Sequence, residues 1–247
     1  MACNSCNSKF DRRSLLAIGA GALAATLAGS PSRSADAPAG PARSPDLALG
    51  DLKTGNTRFV TEPQLCELDL VKQRAGVAGA QAPWATILSC ADSRVPPELV
   101  FGGRGLGELF VARNAGNLAD VATIGTLEYG AAVLGSPLIV VLGHSHCGAV
   151  KAACEVITDN ATFPGSIGPM IDPIIPAALA VRGQSGDFVD NSVRENALRT
   201  ARRLASSGML AELVSAGKLK ILAAHYDLET GKVEYLTPSE PTRASAR

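Results

Sequence analysis

Two short segments of the sequence combine residue types that bind transition metals. One follows a hydrophobic run and contains Cys90, Asp92 and Arg94, while the other reads Gly-His-Ser-His-Cys-Gly and contains His144 and Cys147. Thiolates and imidazoles are zinc ligands, and two cysteines with one histidine leave a fourth tetrahedral position open, as in a catalytic zinc site. A disulfide between the two cysteines is the alternative, but it leaves the other three residues without a role.

Asp92 and Arg94 indicate how that open position is controlled. Alternate residues of an extended chain point to the same side, so both side chains share a face with Cys90. The carboxylate of Asp92 can bind zinc as a conditional fourth ligand, or it can accept two hydrogen bonds from Arg94 and leave the position to water. A carboxylate that stays on the metal makes the site structural, because no position is left open.

The elements that must position these residues follow the pattern of an α/β fold. The two segments each follow a predicted buried strand, at residues 85–90 and 137–143, where short apolar runs are typical of parallel sheets. Further strands are predicted at residues 108–113, 219–225 and 233–236, and helices at residues 46–60, 64–78, 119–134, 148–156, 176–181 and 192–207. This alternation predicts a mainly parallel central sheet flanked by helices, with an antiparallel edge strand. Ligands collect at the carboxyl ends of such strands, where Cys90 and His144 lie.

Residues 1–37 differ in composition from the rest of the chain. Arg12 and Arg13 precede an uncharged, Ala- and Gly-rich stretch at residues 15–29, and a small-x-small cleavage signal ends at Ala37. This is the three-part pattern of an export signal, and the paired arginines favour the twin-arginine route. We predict cleavage near Ala37 and a periplasmic or secreted mature protein. The alternative is a short amphipathic helix that stays attached.

The size and charge of the remainder fit one enzyme domain. Residues 38–45 are rich in Pro, Ala and Ser and are predicted to form a linker, and residues 46–247 a single zinc-dependent catalytic domain. The chain has 23 Lys and Arg against 23 Asp and Glu, so its charge predicts no nucleic-acid partner. No apolar run reaches the roughly 18 residues of a spanning helix, which predicts no stable membrane span after cleavage.

The other cysteines and one histidine have simpler interpretations. Cys3 and Cys6 form a C-x-x-C pair, but they lie in the predicted export signal and would be removed with it. Cys66 and Cys154 are predicted to be buried structural thiols, and whether they pair after export stays open. His225 lies in an apolar strand and is predicted to be packed and hydrogen-bonded rather than a ligand.

The pattern C-x-D-x-R followed by H-x-x-C resembles that of the β-class carbonic anhydrases. The likeness extends over residues 76–236 and includes further motifs at Gln81–Pro83, Arg113–Asn117, Gly125–Tyr129, Gly148–Lys151 and Tyr226–Gly231. His146 is not part of the pattern and is predicted to be an exposed bystander, with a proton relay as the alternative. Some members carry a tryptophan three residues before the first ligand, as part of an inhibitory bicarbonate site. Ile87 stands there in this chain, which implies an Asp92 released from zinc.

The resemblance implies one zinc ion per protomer, held by the two cysteines and the histidine of that pattern. It implies the reversible hydration of carbon dioxide to bicarbonate and a proton, in a homodimer or homotetramer whose active site lies at the dimer interface. In this interpretation Asp92 orients the nucleophile, Arg94 holds Asp92 off the metal, and Gln81 binds the substrate.

Two alternatives keep the same metal site. Related enzymes hydrolyse carbonyl sulfide or carbon disulfide, and access to the pocket would decide between these substrates and carbon dioxide. A non-catalytic zinc module, with Asp92 as a fixed fourth ligand, would show no hydration activity at any pH and no inhibition by anions.

Overall fold

The computed structural model describes residues 43–62 and 70–237, which lie within one compact unit. The predicted export signal, most of the predicted linker and the first part of the helix predicted at residues 64–78 lie outside the described residues, as do Cys3, Cys6 and Cys66. The predicted catalytic domain is therefore described over most of its length.

A five-stranded sheet forms the centre of this unit. Its strands are β1 (Ala85–Cys90), β2 (Leu109–Asn114), β3 (Leu138–His144), β4 (Lys220–Tyr226) and β5 (Val233–Leu236). They lie in the order β2-β1-β3-β4-β5, with β1 to β4 parallel and β5 antiparallel to β4. The predicted fold class, a mainly parallel sheet with an antiparallel edge strand, is confirmed.

Helices cover both faces of the sheet. They are α1 (Pro45–Thr61), α2 (Leu70–Val77), α3 (Pro97–Val100), α4 (Val121–Glu128), α5 (Gly148–Asp159), α6 (Ile167–Ile171), α7 (Ile175–Val181), α8 (Phe188–Ala205) and α9 (Gly208–Ser215). A π-helical turn (Tyr129–Val133) continues α4, and a 3-10 turn (Asp172–Ile174) joins α6 to α7. Within the described part of the chain, no helix is long and apolar enough to cross a membrane.

The central strands β1 and β3 are buried along their whole length, which explains their largely apolar sequences. Ile87 belongs to a core that includes residues of α1 and α3, whereas its neighbour Leu88 belongs to a second core that includes residues of α4, α8 and α9. A third cluster joins Cys90 and Cys147 to apolar residues of α5, α7 and α8, such as Val193. This last cluster covers the carboxyl ends of the central strands.

The predicted start of α8 is wrong. The spacing of Ser192 and Glu195 predicts a capping box and a helix that begins at residue 192. Instead the helix begins at Phe188, and the carboxylate of Asp187 caps it by accepting a hydrogen bond from the Asp190 amide at 2.6 Å. Ser192 is buried one turn into the helix, and its hydroxyl donates to the Phe188 carbonyl at 2.7 Å. A carboxylate is an equally good cap, and here it lies earlier in the chain.

Candidate metal centre

Three potential ligands meet where two neighbouring parallel strands end. Cys90 is the last residue of β1, His144 is the last residue of β3, and Cys147 is the cap residue that precedes α5. One nitrogen of His144 and the two sulfurs all lie within 4.8 Å of one another, and all three residues are buried. The predicted metal-binding residues are therefore brought together by the adjacent ends of β1 and β3.

The distance between the two sulfurs fits a shared zinc ion. Cys90 Sγ and Cys147 Sγ are 3.9 Å apart, and both cysteines are free. A disulfide requires about 2.05 Å. Two thiolates on a tetrahedral zinc, each about 2.3 Å from the metal, lie about 3.8 Å apart. The alternative of a disulfide between these cysteines does not match the structure, whereas the spacing required by zinc does.

His144 presents one free nitrogen to the same space. Its Nδ1 lies 2.9 Å from the carbonyl oxygen of Ser145, which can only accept a hydrogen bond, so Nδ1 carries the proton. Nε2 is then the unprotonated nitrogen, and it is buried without a hydrogen-bond partner among the described residues. An unpartnered buried polar atom costs about 1–3 kcal/mol. A metal ion bound by this nitrogen would remove that cost, so the donor set fits zinc.

The two thiols share a hydrogen bond that shifts their pKa values in opposite directions. The hydrogen bond from Cys147 lowers the pKa of the Cys90 thiol far below its ordinary value, and the same interaction raises the pKa of Cys147. The Gly116 amide donates a further hydrogen bond to Cys90 Sγ at 3.5 Å, which also favours the Cys90 thiolate. Zinc requires both sulfurs as thiolates, so metal binding at this pair is coupled to proton release.

Asp92 and Arg94 form the predicted pair beside the ligands. The Arg94 guanidinium donates to both carboxylate oxygens of Asp92, from Nε at 2.9 Å and from the terminal nitrogen at 2.7 Å. The Arg94 amide donates to the same carboxylate at 2.9 Å. These bonds hold the pKa of Asp92 well below its usual range. The carboxylate is therefore ionised and engaged by Arg94, with its Oδ2 3.9 Å from His144 Nε2.

Arg113 supports this loop, although its role was not predicted. It lies on β2, and its guanidinium donates to the Cys90 carbonyl at 3.0 Å and to the Asp92 carbonyl at 2.6 Å. Arg113 faces Ser89 in the parallel register, one residue before the ligand. Its motif is visible in the sequence, but the function of the side chain depends on β2 lying beside β1.

Gln81, the predicted substrate-binding residue, lies outside the cluster. It is exposed and precedes β1, whereas Cys90 is at the other end of that strand. The six residues of β1 span about 20 Å. The structure therefore does not bring Gln81 to the metal centre of its own chain.

The remaining histidines and Cys154 take the expected positions. His146 is exposed and has a positive φ of 56°, and it is not one of the three clustered ligands. His225 is buried with Nε2 2.7 Å from a carboxylate oxygen of Asp190, which confirms the prediction of a packed residue. Cys154 is a buried free thiol that donates to the Ser192 hydroxyl, as predicted for a structural thiol.

The amino-acid sequence that contains this site is similar to those of known proteins. Residues 85–233 match the family model described as carbonic anhydrase. Carbonic anhydrase 2 of Mycobacterium tuberculosis is 39% identical over 193 residues, which cover 78% of this chain and 93% of the relative. A carbonic anhydrase of Mycolicibacterium smegmatis is 36% identical over 195 residues, covering 78% and 94% of the two chains.

Solved structures show the same architecture. The β-carbonic anhydrase of Coccomyxa, solved in complex with acetazolamide, has a TM-score of 0.58 and 27% identity, and the match covers 77% of this chain and 85% of that one. A structure from work on two tetrameric β-carbonic anhydrases of Sordaria macrospora has a TM-score of 0.60 at 23% identity, covering 77% and 94% of the chains. The latter likeness concerns the fold alone.

Proposed function

This chain belongs to the β class of the carbonic anhydrases, and we propose that its catalytic metal is a zinc ion held by Cys90, His144 and Cys147. The reaction is the reversible hydration of carbon dioxide to bicarbonate and a proton. The observation that carries the proposal is the convergence of two sulfurs and one unpartnered imidazole nitrogen. When bound, zinc supplies a hydroxide nucleophile near neutral pH by lowering the pKa of water.

Asp92 is proposed to orient the nucleophile rather than to bind the metal at rest. Both of its oxygens are engaged by Arg94: Oδ1 accepts from the side-chain Nε and from the backbone amide, whereas Oδ2 accepts one hydrogen bond and keeps a second lone pair that can accept from water. An ionised carboxylate is a stronger acceptor than a neutral group, and it holds the water in one orientation toward the substrate carbon. The arginine fork supports the open site over the non-catalytic module with Asp92 as a fixed ligand.

Stopped-flow carbon dioxide hydration, combined with zinc analysis, tests the metal site. Cys147→Ser should lose zinc and activity together, because a neutral hydroxyl is a poor substitute for a thiolate ligand. Cys154→Ser is the matched control, since Cys154 is a buried cysteine of the following helix that is not among the clustered ligands. Full zinc and full rate in Cys147→Ser would overturn the ligand set. Faster turnover of carbonyl sulfide than of carbon dioxide would favour the alternative substrate.

Gln81 is proposed to bind substrate across a subunit interface. It lies at the far end of β1 from the metal centre of its own chain, which supports a role at the site of a partner rather than at its own. Exposed apolar side chains on and after α4, with Val121 at 87% and Val133 at 62% exposure, support a homodimer or homotetramer beside the edge strand β2. Light scattering measures the assembly.

Complementation tests the role of Gln81 across the interface. A mixed oligomer of Gln81→Ala chains and Cys147→Ser chains contains intact sites only if Gln81 acts on the partner's metal. Mixing should then restore activity above that of either variant alone. Mixed oligomers no more active than the Gln81→Ala parent would place Gln81 elsewhere.

Export is proposed for residues 1–37, with a linker at residues 38–45 and the catalytic domain from residue 46. The support is the sequence pattern alone: Arg12 and Arg13, the uncharged stretch and the cleavage signal at Ala37. Mass spectrometry of the periplasmic enzyme should find a chain that begins at Pro38. Replacing both arginines by lysine should retain the precursor in the cytoplasm, and unchanged export would reject the twin-arginine route.

A further inference from the structure

Helix α8 contributes none of the three clustered ligands, yet one of its side chains is connected to the metal centre through hydrogen bonds. Asn196 is buried, with 3% of its surface exposed, and its Nδ2 donates a hydrogen bond to the Gly116 carbonyl at 2.9 Å. The two residues are 80 positions apart in the chain. This bond fixes the loop after β2 to a helix that packs on the sheet.

Gly116 connects that bond to the first ligand. The Gly116 amide donates to Cys90 Sγ at 3.5 Å, and the Gly116 carbonyl accepts from Asn196. These two backbone groups flank the α-carbon of Gly116. The residue has a positive φ of 78°, and an added Cβ would lie 2.7 Å from Ile174 Cδ1. Gly116 is therefore confined by Ile174 on one side and held by Asn196 through its carbonyl.

The Gly116 amide acts on a sulfur whose charge determines metal binding. A hydrogen bond to a thiolate withdraws electron density from sulfur, and in a buried site it is stronger than in water. Groups that orient or polarise metal ligands in this way typically change affinity or activity by about 10- to 100-fold when they are removed. The orientation of Gly116 is therefore a property of the metal centre as well as of the loop.

We infer that Asn196 is a positioning residue of the metal centre, which holds Gly116 so that its amide stays hydrogen-bonded to Cys90 Sγ. Asn196 thereby sets the affinity of the site for zinc and the electron density on the Cys90 thiolate. This inference rests on the zinc site proposed above. It assigns α8 a role at the metal centre, in addition to the core packing of residues such as Ala197 and the structural hydrogen bond of Ser192.

Two variants and one matched control test the inference on the full, zinc-loaded enzyme. Asn196→Ala removes the donor, but Asn196 also lines a surface cavity of about 870 Å³, from which water could replace the amide. Asn196→Leu keeps a side chain that branches at Cγ, removes the donor and excludes water. Asn56→Ala is the control, because Asn56 is another buried asparagine and bonds backbone groups far from the ligands, such as the Gly231 carbonyl at 2.8 Å.

The measurements are zinc affinity, from competition with a chelator, and the sulfur-to-metal charge-transfer band of the cobalt-substituted protein. Asn196→Leu should bind zinc about 10- to 100-fold more weakly than the wild type, and Asn196→Ala should show a loss that is equal or smaller, because water can enter in place of the amide. Their charge-transfer band should move to longer wavelength, because a thiolate without its hydrogen bond is more easily oxidised. Asn56→Ala should lower thermal stability while keeping wild-type affinity and band position.

The wild type provides a test that does not depend on how the variants fold. In the cadmium-113 protein, a scalar coupling between the metal and the Gly116 amide proton should be measurable across the hydrogen bond. Absence of that coupling, wild-type affinity in both Asn196 variants, or an equal loss in Asn56→Ala would overturn the inference. A wild type that binds no zinc would instead refute the proposed metal site, so the two failures are distinguishable.

Discussion

Two buried histidines lie at the carboxyl ends of the neighbouring strands β3 and β4, and they differ in the charges that surround them. His144 closes β3 with 0% exposure, and His225 lies one residue before the end of β4 with 3% exposure. The Nε2 atom of His225 lies 2.7 Å from Asp190, and Arg194 lies 3.4 Å from its Nδ1. Neither Nε2 atom makes a hydrogen bond of good geometry in the described part of the chain, but that of His144 lies 3.9 Å from Asp92 Oδ2 and faces two sulfurs.

The difference is one of charge balance. Around His225 the protein supplies both signs, because Arg194 pairs with Asp190 and with Glu234, each at 2.8 Å. Around His144 the nearest groups are electron donors: two sulfurs and, 3.9 Å away, the carboxylate of Asp92. A buried group of electron donors is stabilised by a cation. The two basic side chains described beside this group are already engaged, Arg94 by the Asp92 carboxylate and Arg113 by the backbone carbonyls of Cys90 and Asp92. The comparison separates a structural histidine from the proposed metal ligand.

The largest expected effect comes from replacing each of the two histidines by glutamine in turn. His144→Gln should reduce zinc from about one ion per chain to nearly none and abolish carbon dioxide hydration, because the site loses a ligand. His225→Gln should keep zinc and most of the activity, because its partners lie outside the metal centre. Metal analysis and stopped-flow kinetics on both variants make the comparison. Equal loss of zinc in the two variants would erase the distinction between the histidines.

Asp92→Asn should have the next largest effect and should separate catalysis from metal binding. The amide keeps the size of the side chain but loses the charge that orients water. We expect zinc to be retained and the hydration rate to fall by about 100- to 10,000-fold, the range for loss of an acid–base group. Asp190→Asn is the control, since Asp190 serves the other histidine. Loss of zinc in Asp92→Asn would show that the carboxylate is a ligand.

Asp190→Asn should have a smaller effect, on stability rather than on chemistry. Asp190 pairs with Arg194 and His225 but is one-third exposed, so its loss should lower the free energy of unfolding by only about 1 kcal/mol. For a domain of this size that corresponds to a fall in Tm of about 2–4 °C. Thermal unfolding followed by circular dichroism measures the change. An unchanged Tm would mean that the cluster around His225 does not contribute to stability.

The smallest expected effect is on the pH dependence of stability. Burial lowers the pKa of His225 despite the nearby carboxylate. Burial also opposes ionisation of Asp190, but the hydrogen bond and charge of Arg194 and the interactions with His225 together outweigh it and lower the pKa of Asp190. Groups with lowered pKa values stabilise the fold above their unfolded values, and this stability is lost as the pH falls. The loss should begin near pH ~6.5 for His225 and continue below pH ~4 for Asp190.

The matched variant isolates the contribution of His225. Between about pH 7 and pH 5, where the histidine protonates in the unfolded chain, zinc-loaded His225→Gln should show a shallower decline of Tm than the zinc-loaded wild type. Both proteins keep the same metal site, so the difference between the two curves belongs to the histidine. Parallel curves would contradict the lowered pKa.

Most of the fold and the central residues of the site could be predicted because their signals are local. β1 and β3 are short apolar runs, and each ends in a potential ligand. The start of α8 was missed for a local reason as well, since Ser192 and Asp187 are competing caps and the sequence does not rank them. Asp92 and Arg94 are two residues apart, and alternation along an extended chain is sufficient to pair them.

The sequence by itself determined which atoms could bind a metal: two sulfurs, one imidazole and a carboxylate whose arginine partner is close in the chain. Only the tertiary structure decided what holds those atoms in place. Arg113 reaches the β1 loop from β2, and Asn196 reaches Gly116 from α8. Hydrogen bonds between segments 20 to 80 positions apart leave no periodic pattern in a sequence, because the packing of strands and helices, not their local propensity, brings the partners together.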